Sequence, residues 1–171
     1  MPLNNTKKVA AIVADSGGRV VGRTRLQKIA YLLTVTGMED GLTFAYKHYG
    51  PYSEDLASAA RLGNLLGELH EAEHATAWGG SYSVFTAQPL PDAVVDNSRC
   101  QFATAAANSD AVELELAATA VFLAGEGFDD PWIETARRKP EKALPDRLER
   151  AKDLLRTLSQ IPTPQPLPPI V

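Results

Sequence analysis

Apolar and polar positions alternate along this chain in blocks that read as helices, then a hairpin, then helices again. A short apolar run, Val9 to Ala14, sits in a first helix predicted over about 5–16, which Gly17-Gly18 ends. A second helix starts at Thr24, because Thr24-Arg25-Leu26-Gln27 fits a capping box. The hydroxyl would accept from the amide three residues on, and Gln27 would reach back. Leu26, Ile29, Ala30 and Leu33 then fall on one helical face until Gly37. Phe44, Tyr46 and His48 alternate with Ala45, Lys47 and Tyr49, the period of a short strand. Gly50-Pro51 breaks the chain. Ser53 followed by Glu54 and Asp55 starts a third helix, since the hydroxyl caps it and the acids favour the positive end of its dipole. That helix should run to about Leu66.

Leu69 to Trp78 and Tyr82 to Thr86 flank Gly79-Gly80 and predict a β-hairpin. A loop rich in Pro, Asp and Asn covers 88–98, with Cys100 placed in loop as well. Asp110 caps a helix to about Ala124 whose apolar run, Leu116 to Ala124, is bracketed by Glu113, Glu115 and Glu126. Asp130-Pro131 opens another helix, with proline at the position where its missing N–H costs least. Pro140 and Pro145 bracket a turn before an amphipathic helix at 146–159. The last eleven residues hold five of the twelve prolines and predict an extended, flexible tail over 161–171.

The fold class is therefore mainly α (α+β). Helix, helix, strand, helix, hairpin over 5–87 is the order of a winged-helix-like unit, and 108–159 adds a helical extension. Both belong to one compact domain over 1–160, a fitting size for 171 residues. The two apolar runs are too short to span a bilayer, which points to a cytoplasmic protein with no membrane contact.

Charge sharpens the picture. The net charge is -4, but residues 1–50 carry +4, residues 51–130 carry -11 and residues 131–160 carry +3. The acidic middle contains the third helix and the hairpin, the parts of a winged helix that usually meet DNA. There Arg61 stands against Glu54 and Asp55, and the hairpin carries Glu68, Glu71 and Glu73. Phosphate repulsion disfavours ordinary major-groove docking by such a face. The candidate nucleic-acid contacts are instead Arg19, Arg23, Arg25 and Lys28, at the start of the second helix. One cysteine excludes a disulfide framework.

The stretch Gly22-Arg23-Thr24-Arg25-Leu26-Gln27-Lys28-Ile29-Ala30-Tyr31-Leu32-Leu33, with Tyr49-Gly50-Pro51-Tyr52-Ser53-Glu54-Asp55-Leu56, resembles the bacterial YwgA-like proteins, relatives of the Panacea (SocA-like) antitoxin domain. A Leu-Gln-Lys helix followed by a Tyr-Gly-Pro turn marks that family. The segment from Ala117-Ala118-Thr119 through Lys139-Pro140 to Ala151 and Leu158 is similar to its C-terminal helices, so the resemblance covers about 20–159. It implies a winged-helix-like fold. It also implies a domain that binds and neutralises a protein toxin in toxin–antitoxin, phage-defence or mobile-element settings, some members delivering the toxin to a protease. Tyr52-Ser53 follows the Gly-Pro here, as in the YwgA-like branch, where the antitoxin branch commonly has valine.

Candidate chemistry adds little catalysis. His70-Glu71-Ala72-Glu73-His74 matches the zinc-protease pattern, with Glu113 or Glu115 as a third ligand. It falls where the hairpin should begin, and a strand would hold His70 and His74 about 13 Å apart, too far to share a metal. No Gly-x-Ser-x-Gly elbow or Walker loop is present, and no cofactor is implied. In the turn, two tyrosines beside a helix N-terminus suit an anion or a partner. The architectural reading makes Leu26, Gln27, Lys28, Gly50, Pro51 and Ser53 a packing motif, with the tyrosines against the second helix and Gln27 and Lys28 serving the turn. The reading that results is a non-enzymatic protein-binding module, antitoxin-like or defence-associated, with Tyr49, Tyr52, Glu54, Asp55, Arg61 and Glu68 as partner-binding candidates. A DNA-binding regulator is the alternative, and a zinc hydrolase a third. Trp132 is expected to anchor the core of the helical extension.

Overall fold

In a computed structural model, which describes residues 2–47, 49–89 and 94–171, the order of elements follows the hydrophobic pattern closely. It runs α1 (Pro2–Asp15), β1 (Arg19–Val21), α2 (Arg23–Val35), β2 (Ala45–Lys47), β3 (Gly50–Tyr52), α3 (Glu54–Leu66), β4 (His70–Ala75) and β5 (Ser81–Thr86). Four helices complete it: α4 (Asn97–Ala107), α5 (Ala111–Gly125), α6 (Pro131–Arg138) and α7 (Pro145–Ser159). The protein is mainly α, with two small antiparallel sheets. No helix among the described residues is long and apolar enough to cross a membrane.

Two helices form the centre. Every residue of α2 from Leu26 to Leu33 is buried, as is almost all of α5 from Leu114 to Leu123. A helix apolar on all sides needs neighbours on all sides. The side chains of α1, α3, β5, α4, α6 and α7 accordingly join α2 and α5 in one continuous cluster. The start signals at Ser53, Asp110 and Asp130 work as their sequence context predicts. Ser53 accepts from the Leu56 amide, Asp110 from Val112 and Glu113, and Asp130 from Ile133.

The structure corrects five readings. Helix α2 begins one residue early with Gly22 as its N-cap and has no side-chain cap, so the capping box does not form. Gly50-Pro51 does not break the chain but lies in β3, paired with β2 in the register Tyr46↔Pro51 and Lys47↔Gly50. An edge position tolerates proline, whose missing N–H removes no ladder bond on the open side. His48, the end of the predicted alternation, and residues 90–93 of the 88–98 loop lie outside the described residues. Cys100 lies in helix α4, not in a loop, with Asp96 capping that helix by accepting from the Arg99 amide. Strand β1 went unpredicted; it pairs with β5, more than sixty residues on, giving the sheet order β1-β5-β4. Lastly, the proline-rich tail is extended but seated on the body. The Gln165 amide donates to Thr36 O, Leu167 is buried, and Trp132 Nε1 donates to Ile170 O at 2.8 Å.

Candidate functional site

The two segments that stand out in the sequence meet in space. Gln27 and Lys28, adjacent on α2, both reach across to the backbone that links β3 to α3. Gln27 Nε2 donates to Ser53 O at 2.9 Å, and Gln27 Oε1 accepts from the Ser53 amide at 2.8 Å. Lys28 Nζ donates to Pro51 O at 2.9 Å. Gln27 thereby fixes the residue whose own hydroxyl caps α3. Of the two roles open to Gln27, bracing the turn is the one observed, because its side of α2 faces the interior.

Beneath this clamp lies an unusual concentration of buried charge. Glu115 of α5 is almost fully buried and accepts from Lys139 Nζ at 3.0 Å and Lys142 Nζ at 3.0 Å. Lys28 is 1% exposed, and its ammonium faces this group. Burial pushes the Lys28 ammonium down to about 8. Glu115 opposes that shift, and Lys139 and Lys142 add to it. Thr119, one turn beyond Glu115, has a fully buried hydroxyl with no hydrogen-bond partner. Gly50 sits against it at φ +101°, and a Cβ there would overlap Thr119 Oγ1. The glycine is thus required twice, by its backbone angle and by the close approach of α5.

The expected basic group does not assemble. Lys28 is interior. Arg25 is spent on backbone, donating to Val21 O, Ala107 O and Ser109 O. Arg23 donates to Glu71 Oε2 through Nε at 3.1 Å and Nη2 at 2.9 Å. Arg19, on β1, and Arg23 are exposed, but Arg23 is paired with Glu71. Burial works to raise the Glu71 carboxyl, but hydrogen bonds from Ser83 and Arg23 outweigh it and hold the group below the usual carboxylate range.

The tyrosines divide. Tyr52 borders α2 beside Leu26 and Gln27. Tyr49 does not pack there; it is 53% exposed, with Lys142 Nζ 4.7 Å from its ring centre. The outward face of α3 carries Glu54, Asp55, Ser58, Arg61 and Leu65, all exposed, with Glu54 paired to Lys47. Leu65 is 82% exposed. Where α3 meets α2 and the hairpin, a slot of about 90 Å³ opens over Leu26, Leu56, Ala57, Ala60 and Phe85, with Arg23, Arg61, Glu71 and Tyr52 at its mouth. Glu68, just past α3, lines a separate groove. This slot escaped sequence reading because its walls come from three elements far apart in the chain.

His70 and His74 both lie on strand β4, exposed, and His74 stacks on Tyr82 at 5.4 Å. A strand cannot present two imidazoles to one metal at i, i+4 as a helix does. Among the described residues no three His, Cys, Asp or Glu side chains stand close enough to hold a metal ion. Burial and the neighbouring Asp15 carboxylate push the Cys100 thiol up, away from the thiolate. Trp132 is a buried anchor of α6, as its setting predicts. Trp78 at the hairpin tip, which sequence reading passed over, is 88% exposed. The chain matches no family model, no curated protein and no solved structure.

Proposed function

We propose that this chain is a non-enzymatic protein-binding module with a winged-helix-like core, acting as an antitoxin-like or defence-associated partner that neutralises or regulates another protein. The similarity of its Leu26-Gln27-Lys28 and Tyr49-Gly50-Pro51 segments to the YwgA-like and Panacea (SocA-like) domains supports the reading. So does the sheet order β1-β5-β4 set beside α1, α2 and α3. The observation that carries it is the outward face of α3. A DNA-reading helix offers cations and hydrogen-bond donors to phosphate and base edges. This one offers Glu54 and Asp55 against the single cation Arg61, with Leu65 exposed, and the hairpin adds Glu73 and Trp78. Elements that expose carboxylates together with a leucine or a tryptophan suit a basic protein partner, with charge steering the encounter and the apolar side chains holding it.

Co-expression with the product of the adjacent gene tests the proposal. The expected result is a complex that survives purification and relieves any toxicity of that product. Glu54→Lys with Asp55→Lys should weaken it. A partner that neither binds nor is neutralised overturns the proposal.

A further inference from the structure

Strand β4 lies at the edge of the three-stranded sheet, with β5 its one partner strand among the described residues. The bonds around it show which way its backbone points. The Thr76 amide donates to Gly80 O at 2.8 Å, which closes the hairpin on a bonded pair. Bonded and non-bonded pairs alternate along an antiparallel ladder, so Ala75, Glu73 and Glu71 face Ser81, Ser83 and Phe85 without bonding to them. Their amides and carbonyls turn outward. Two further bonds agree. The Ser83 carbonyl accepts from the Gly22 amide on the far side of β5, at 2.7 Å. The Glu71 amide donates away from β5, to Asn64 Oδ1 at 3.0 Å. Asn64 of α3, the other element packed on β4, thus closes the edge at Glu71. Beyond it Glu73, His74 and Ala75 are all exposed.

An open strand edge is a template for another strand, and charge placed on it decides which strand is refused. Side chains alternate across the sheet, which puts Glu71 and Glu73 on one face and His70 and His74 on the other. Arg23 neutralises Glu71. Glu73 accepts from Ser81 Oγ at 3.1 Å and has no ion pair among the described residues. A second copy of the chain fits this edge poorly. Two-fold pairing centred on Ala72 sets each Glu71 opposite Glu73 of the other copy, and pairing centred on Glu73 sets that residue against itself. Like charges directly opposite destabilise a ladder. A strand with a lysine or arginine opposite Glu73 gains where a second copy loses.

We infer that the edge of β4 receives an extended, basic strand of the protein partner. The strand runs antiparallel, its backbone bonded to Glu73 and Ala75 and a cationic side chain opposite Glu73. Each of those residues exchanges both its main-chain bonds with the residue facing it, so the backbone supplies affinity and the charge supplies selectivity. The inference rests on the protein-binding reading for the source of the strand. Its test does not need that partner, so complex formation through α3 and strand capture by β4 can fail separately.

The test titrates a capped hexapeptide of alternating lysine and valine into the isotopically labelled full chain, with the glutamate–valine peptide as control. Amide shifts and hydrogen exchange are followed. The lysine peptide should slow exchange at the Glu73 and Ala75 amides and leave that of His74, already bonded to β5, unchanged. It should bind roughly tenfold more tightly than the glutamate peptide. Glu73→Lys should reverse that order. Ala75→Pro removes an outward N–H and no ladder bond, so it should melt close to wild type and lose the lysine peptide. An Ala75→Pro chain that melts far lower would mean that this amide serves β5, which overturns the assignment of the edge. No protection from the lysine peptide, equal binding of the two peptides, or an order unchanged by Glu73→Lys would each overturn the inference. So would protection of Glu73 and Ala75 that grows with protein concentration before any peptide is added, which marks a second copy as the occupant.

Discussion

Replacing Gln27 by leucine isolates the contact that joins α2 to the start of α3. The substitution keeps the side-chain bulk and removes two buried hydrogen bonds, those at 2.9 Å to Ser53 O and 2.8 Å from the Ser53 amide. The carbonyl keeps a partner, because the Ala57 amide also donates to it. The amide keeps none. An orphaned buried donor costs about 1–3 kcal/mol, and the apolar leucine recovers part of that, so a net loss of about 2 kcal/mol is expected. For a chain of this size that lowers the melting temperature by roughly 4–8 °C. Urea unfolding gives the free energy, and hydrogen exchange at the Ser53 amide reports the contact itself, which should lose protection ahead of the centre of α3. Gln27→Glu supplies a sharper control. It keeps an acceptor for the Ser53 amide but sets a carboxylate against Ser53 O, so the folded state prefers the protonated form and raises its pKa. That variant should approach wild type near pH 4 and lose stability as the pH rises through the raised pKa. A leucine variant within about 0.5 kcal/mol of wild type, with Ser53 exchange unchanged, would refute the account of the turn as a braced structure.

Two further perturbations probe the same region. Gly50→Ala should cost more than about 3 kcal/mol by chemical denaturation, since backbone strain adds to a clash with Thr119 Oγ1. Adding Thr119→Ala should recover part of the loss, and no recovery would mean that the clash is not what excludes a side chain. For Lys28, whose ammonium burial lowers to about 8, the protonated form is disfavoured in the fold. Wild type should therefore gain stability relative to Lys28→Met as the pH rises from about 8 towards 10.5, by at most about 3 kcal/mol. A flat difference between pH 7 and pH 10 would count against a buried charged amine.

Much of the architecture is legible before any coordinates. Ser53, Asp110 and Asp130 announce three helix starts because a cap needs only its own local backbone. The hairpin shows through Gly79-Gly80 and the alternation of Ser81 to Phe85. What escaped has a common cause. Three-residue β1 carries almost no periodic signal, and its partner β5 is remote. Helix α4 follows a stretch of turn-forming residues and is itself polar and alanine-rich, so its start reads as loop. The motif residues Leu26, Gln27, Lys28, Gly50, Pro51 and Ser53 were recognisable as a set. The cationic set of Arg19, Arg23, Arg25 and Lys28 was not a set at all, since nearness along the chain said nothing of where each head group points.

Local chemistry accounts for where helices begin, where glycine and proline interrupt them, and which helical faces avoid water. Those properties depend on neighbours within a few residues, and they are written into the order of the chain. The partner of each polar side chain is a different matter. Gln27 answers to Ser53, Arg25 to Ala107 and Ser109, and Glu115 to Lys139 and Lys142, at separations from 24 to 84 residues. Periodicity says that a face is buried without saying what lies opposite, and a buried donor takes whichever acceptor the packing brings within reach. That is why the acidic middle of the chain could be counted from the sequence, while the unpaired hydroxyl of Thr119 appears only once α5 has packed against Gly50 of β3.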